Sequence, residues 1–268
     1  MRSGCLSAYL YMIKIRILIS LTYRFEAISA IAMQFILLVV NSMIWRVLYA
    51  NNQVVQDTTL NQMLIYTVMS IFLTCFYSTG VEGRMRSGIR DGNVAVDYIK
   101  PVNLYGLYFS EDIGQIVVNF LLKGLPILIF GSIFVSIPVP SSFLSLCLFV
   151  VSAVFSFLIL WFIAAIFGIF NFWLIDIGPI GMVKDHIINF LSGAVIPIWF
   201  FPSFVQDIMN YTPFVYIYQT PISFFIGKTP VSDAWRILAI QAIWCLVFYI
   251  LFRLCKKKAF GRLIVQGG

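Results

Sequence analysis

Apolar residues along this chain come in long unbroken runs, with no apolar–polar alternation. Six runs are long enough to cross a bilayer as helices: Ala27–Tyr49, Asn61–Val81, Asp112–Ser136, Phe143–Phe170, Ile187–Phe201 with a broken continuation, and Ala234–Leu254. A spanning helix needs about 20 residues. Lipid leaves backbone N–H and C=O groups unsatisfied, so apolar spans are helical, and no ten-residue alternation suggests a barrel. The pattern predicts an all-α integral membrane fold with six transmembrane helices. An even number puts both termini on one side.

Two segments fit neither a span nor an ordinary loop. Residues 5–26 read as a helix whose polar face is poorly formed, since Lys14 lies about 200° around the helix from Arg16. Charges flanking an apolar body suit an interfacial helix whose long side chains reach phosphate; a seventh, imperfect span is the alternative. In residues 193–226, Pro197, Pro202, Pro213 and Pro221 recur too often for one straight helix. Aromatic residues, among them Trp199, Phe200, Phe201 and Tyr211, crowd the same stretch, as at a membrane–water boundary. The expectation is short re-entrant helices between spans five and six; an outer loop resting on headgroups reads equally well.

Composition agrees with the pattern. Hydrophobic residues make up 61% of 268 residues and charged residues 11%, against roughly 45–50% and 25% in soluble domains. No core of this length hides so much apolar surface from water. The formal charge of +7 is first a topology signal. Fourteen of eighteen basic residues fall in the N-terminal segment, the 82–111 loop, at Lys184, and in the tail from Arg253. The positive-inside rule predicts cytoplasmic termini and gives no reason to expect nucleic-acid binding. Five scattered cysteines without CxxC spacing read as small hydrophobes. The first 26 residues carry no Ala-x-Ala cleavage site, so no removable signal peptide is expected.

Groups for catalysis are scarce. His186, beside Asp185, could form half of a proton relay, but a lone histidine at a headgroup boundary is usually solvated. No HExxH, cysteine cluster or GxSxG offers a metal site or nucleophile. Gly227-Lys228-Thr229 resembles the tail of a P-loop, yet the required upstream glycine is Ile222, and it reads as a turn. Lys123 is the one charge well inside a predicted span. At mid-bilayer a lysine costs roughly 2.5–3.5 kcal/mol, so it faces protein or water and would line a substrate path attractive to an anionic headgroup. Otherwise the third span begins later and Lys123 snorkels inward.

The longest charged stretch is 82–101, EGRMRSGIRDGNVAVDYIKP. Met85 and Ile89 have helical spacing with Arg86 and Arg90 on one side. Gly92 can take positive φ past a helix end, and Pro101 prevents a second short run from continuing. A compact charged element joined to two spans suits docking by another protein; a solvated loop that only sets topology is the bland alternative.

The run GVEGRMRSGIRDGNVAVDYIKPVNLYGLYF resembles permease subunits of ABC-2 type exporters, especially the small six-span group with R-x-G-x-I-x-x-x-L-x-x-P after span two. Here Arg86-Ser87-Gly88 or Arg90-Asp91-Gly92-Asn93-Val94 precedes Tyr98-Ile99-Lys100-Pro101, and Val96 and Ile99 replace leucines. Ser192-Gly193-Ala194-Val195-Ile196-Pro197, Phe201-Pro202 and Tyr211-Thr212-Pro213-Phe214 are similar to that family's fifth span and outer helices. The resemblance covers nearly the whole chain and implies one ABC-2 transmembrane domain over 1–268, in a bacterial cytoplasmic membrane.

It further implies that 5–26 is a connecting helix and that 82–100 is a coupling helix gripped by a separate ATPase. Glu82, Arg84, Arg86, Arg90, Asp91 and Gly92 would be the coupling residues. Lys123, Pro197, Phe201 and Pro202 are candidates for the path or a dimer interface. No Walker motif occurs, so ATP and Mg would be bound by two partner ATPase subunits, and a second permease, identical or related, would complete the path. The chain is not expected to be catalytic or to hold a cofactor itself. The rival readings are an ion- or proton-coupled transporter without an ATPase, and a non-transporting membrane assembly protein.

Overall fold

In the computed structural model, which describes residues 2–22, 24–51, 54–92, 102–134, 142–174 and 177–263, the apolar runs form helices whose ends are set by recognisable local chemistry. Helix α1 covers Arg2–Thr22 and α2 covers Arg24–Leu48. Helix α3, Leu60–Phe76, opens on a capping box in which Thr59 and Gln62 satisfy each other's backbone N–H. Helix α4 is Val81–Arg90. Helix α5, Leu104–Asn119, is capped by Asn103, passes through a π turn at Phe120–Gly124, and continues as α6, Leu125–Phe134. Pro126 has no N–H for the carbonyl four residues back, which accounts for the widened turn before it. Helix α7 is Phe143–Phe170, α8 Gly178–Leu191, α9 Ser203–Asn210, α10 Gln219–Phe225 and α11 Val231–Leu263.

Five described stretches are long and apolar enough to cross a membrane: Ile28–Leu48, Leu60–Arg90, Leu104–Ile133, Phe143–Phe170 and Val231–Ala259. The protein is therefore a helical, multi-pass membrane protein. A small hairpin, Val54–Val55 against Thr58–Thr59, was not expected. Gln56 and Asp57 at its tip both take positive φ, which suits a two-residue hairpin.

Several boundaries differ from the sequence reading. The third apolar helix starts at Leu104, not Asp112, because Asn103 supplies the cap and partners inside the protein satisfy the acidic pair Glu111-Asp112. Asp112 thus lies two turns inside a helix, not at its end. Lys123 lies within the Leu104–Ile133 stretch, in the π turn that follows α5. The second span ends at Phe76; residues 77–80 break it before α4. The 187–201 run is not one helix. Helix α8 starts at Gly178 with Pro179 in its first turn and stops at Leu191, because Gly193 takes positive φ and Pro197 follows. Within the predicted 5–26 helix, α1 ends at Thr22. It packs along α5, where Arg16 Nε donates to Gln115 Oε1 at 3.0 Å. Residues 93–101 of the charged element lie outside the described residues.

Helix α7 is the spine, packed against α4, α10 and α11. Parts of the irregular stretch after α8, at 192–193, 197–199 and 215–218, are buried, with bonds to α7 and to α3. Tyr66 Oη donates to Gly193 O at 2.7 Å, Ser70 Oγ to Ala194 O at 2.6 Å, and Tyr77 Oη to Ile217 O at 3.1 Å. Thr74 and Tyr218 share a hydroxyl contact at 3.3 Å. From the other side, Ser156 Oγ and Gln241 Nε2 both reach Tyr216 O at 2.8 Å. Non-helical backbone away from water needs such donors. At the far end of the stretch, Gly227-Lys228-Thr229 forms the expected turn, with Lys228 N bonded to Ser223 O. The Lys228 ammonium donates to Gln56 O and Thr58 Oγ1 and lies 4.3 Å from the Trp199 ring centroid. Burial holds it below the usual lysine range.

Candidate functional site

Helix α4 carries the predicted coupling residues, and its two sides differ. Val81 and Met85 are fully buried toward α7. Gly168 of α7 makes this approach possible, because a Cβ there would meet Met85 Cβ at 3.0 Å and Glu82 Cα at 3.3 Å. Glu82 is ion-paired with Lys184 of α8, which also contacts Asp185 at 3.0 Å. Arg84 Nη2 donates to Asp112 Oδ1 at 2.6 Å and to Tyr108 O at 3.0 Å, while its Nε lies 3.3 Å from Glu111 Oε2. Asp112 is 1% exposed. Its Oδ1 also accepts the Gly80 N–H at 2.8 Å, and its Oδ2 accepts Trp161 Nε1 at 3.0 Å. One carboxylate therefore joins the start of α4 to α5 and α7.

The other side faces outward. Arg86 is half-buried, Arg90 and Asp91 are exposed and contact each other at 3.2 Å, and Gly92 ends the element at φ +74°. Of the six predicted coupling residues, Glu82 and Arg84 hold α4 to the membrane helices. Arg86, Arg90, Asp91 and Gly92 lie on the rim around its C-terminal end.

Lys123 lines a cavity of ≈ 400 Å³ between α2, α3, α5, α7 and α8. Around it stand Gln34, Thr74, Asn119, Asn189 and Tyr218, with Lys184 and Asp185 at one edge. Asn119 is fixed by Gln115 and by Cys75 O, each at 3.0 Å. Lys184 has carboxylate partners, whereas Lys123 has none among the described residues. Pro197, Phe201 and Pro202 do not line this cavity. Pro197 is buried, Phe201 packs its ring 5.4 Å from Phe190, and exposed Pro202 leads into α9. His186 is exposed.

Sequence reasoning passed over Asp112, Lys184 and Gly168. Asp112 carried a signal: Leu104, Tyr108 and Asp112 follow the capping Asn103 at helical spacing, so the helix could have been started earlier.

A clamped helical element thus stands next to the ends of several apolar helices, beside a polar cavity among them. The family model described as ABC-2 family transporter protein matches residues 35–267. The chain belongs to the ABC-2 transporter family. No curated protein matches it. As an ABC-2 family member it is a multi-pass membrane transport component, and α2 from residue 35 onward and all of α3 through α11 fall within the matched residues.

Proposed function

We propose that this chain is the permease subunit of an ATP-driven exporter in a bacterial cytoplasmic membrane, with its termini in the cytoplasm. The observation that carries this is α4, clamped on one side by Glu82–Lys184 and Arg84–Asp112 while Arg90 and Asp91 stand exposed on the other. A rigid element with a polar outer rim transmits force. Two ATPase subunits, which bind the ATP and Mg, would each dock on an 82–100 element. Two permeases, identical or related, would enclose the path. Helix α8 and the buried stretch after it form the sixth crossing, with α9 and α10 as the re-entrant pair. The Lys123 cavity is part of the route, and the apolar helix faces around it suit an amphiphilic cargo: a peptide, a lipid-linked molecule or a drug.

The deciding experiment is gentle purification from native membranes with an assay for ATP hydrolysis. An ATPase should co-purify. Arg86→Glu with Arg90→Glu should lower its recovery at least tenfold, since disrupting charged contacts across an interface costs roughly 2–5 kcal/mol. Wild-type recovery with a folded double variant would overturn the docking role. Lys123→Met keeps side-chain bulk and drops the charge. Export of an anionic amphiphile should fall roughly tenfold, the size of one charged hydrogen bond, with ATPase recovery unchanged. Unchanged export in vesicles would remove Lys123 from the route.

The ion-coupled rival needs an acidic group poised to titrate within the membrane. Asp112 is the one buried carboxylate inside a described span, and both its oxygens are occupied by Arg84, Gly80 and Trp161. That arrangement favours a structural role.

A further inference from the structure

A second cavity, ≈ 680 Å³, opens between the start of α5 and the last turns of α11. Its cations are Arg253, Lys256 and Lys257, and its walls are Tyr105, Tyr249 and Phe252. None of its lining residues is acidic. Among the described residues, none of the three cations pairs with a carboxylate. They rest on rings instead. Lys256 Nζ lies 4.9 Å from the Tyr105 centroid. The Arg253 guanidinium lies 5.8 Å from that of Tyr249 and donates to its hydroxyl at 2.9 Å. Tyr105 and Phe252, both buried, pack edge-to-face at 4.9 Å and fix this floor. Three cations held around a concavity that offers no counter-charge among the described residues call for an anion.

The surroundings say which kind. At 33 residues, α11 runs about 50 Å, against a hydrocarbon core of about 30 Å, so its last turns reach headgroup depth. An exposed aliphatic stripe, Ile243, Leu246, Ile250 and Leu254, climbs α11 at three- and four-residue spacing and ends in the cavity at Leu254. It lacks the small residues that favour close helix–helix packing in membranes, so its natural cover is an acyl chain. We propose that this cavity binds the headgroup of an anionic phospholipid, its phosphate among Arg253, Lys256 and Lys257 and its chains along that stripe.

The test presents the full-length chain, in an uncharged detergent, with equal amounts of phosphatidylglycerol and phosphatidylcholine. Retained lipid is counted by native mass spectrometry. Phosphatidylglycerol should be retained roughly tenfold or more over phosphatidylcholine, the scale set by a few basic residues at a headgroup. R253Q/K256Q/K257Q should abolish the preference. Lys258→Gln, next in sequence but not lining the cavity, should keep it. If the triple variant does not fold, Lys256→Gln against Lys258→Gln carries the comparison. No preference in the wild type, or equal losses in Lys256→Gln and Lys258→Gln, would overturn the proposal. So would displacement of the lipid by inorganic phosphate, which marks a soluble-anion site. Loss of a co-purifying protein with lipid retention unchanged would also overturn it. Lipid retention is read without the ATPase, so either inference can fail alone.

Discussion

Asp112→Ala is expected to lower stability by about 3 kcal/mol, the lower end of the cost of removing one partner from a buried ion pair, because Arg84 keeps Glu111. The residue is 1% exposed, and its carboxylate accepts from the Gly80 N–H, the Arg84 guanidinium and the Trp161 indole. The variant leaves Arg84 with Glu111 alone as a carboxylate contact and strands two neutral donors. Because the carboxylate on α5 holds donors from α4 and α7, the loss is geometric as well as energetic, and α4 loses its fixed position at Gly80. ATP hydrolysis recovered with the protein should therefore fall together with the melting temperature. Asp112→Asn keeps an acceptor for the backbone N–H and drops the charge, so it should fall between the two. A melting temperature for Asp112→Ala within a degree of wild type would show that the carboxylate does not hold these elements together.

Gly168→Val should separate position from stability. A Cβ at this site sits 3.0 Å from Met85 Cβ and 3.3 Å from Glu82 Cα. The second contact is backbone, so no rotamer change relieves it and α4 must move away from α7. Overpacking of this kind costs about 1–3 kcal/mol, which the fold can survive. The element is displaced nonetheless, and export coupled to ATP should be lost while the protein still purifies intact. Gly168→Ala should fall part-way, since it adds the Cβ without the valine methyls. A fully active valine variant would mean that the α4–α7 spacing does not matter for coupling.

How much of this could be read in the sequence differs from element to element. Runs such as Phe143–Phe170 were legible to the residue, because lipid enforces helix and Ser142 supplies a cap. The charged turn at Asp91-Gly92 was legible because only certain residues tolerate its φ. The end of α8 was harder. Ile187–Phe201 is apolar but for Asn189 and Ser192, so hydropathy is silent on the break at Ser192–Pro197, and only Gly193 and the prolines mark it. The roles of Glu82 and Arg84 were not legible at all. One-dimensional charge grouping places them with Arg86 and Arg90, but a helix rotates about 100° per residue and turns Glu82 toward Lys184 and Arg84 toward Asp112. Their partners lie 102 and 28 positions away. The Lys123 cavity likewise depends on five helices that no local pattern relates.

The hydroxyls of Tyr66, Ser70, Thr74 and Tyr77 occupy one stripe of α3, and each meets the stretch that follows α8. The backbone held by these bonds rides on α3 as cargo rides on a piston rod. The rod is joined to α4 through four residues, 77–80, the first of which, Tyr77, itself bonds the stretch. A push delivered at α4 would thus reach that stretch within one piece of chain, and what gives way must be a seam between this block and its neighbours.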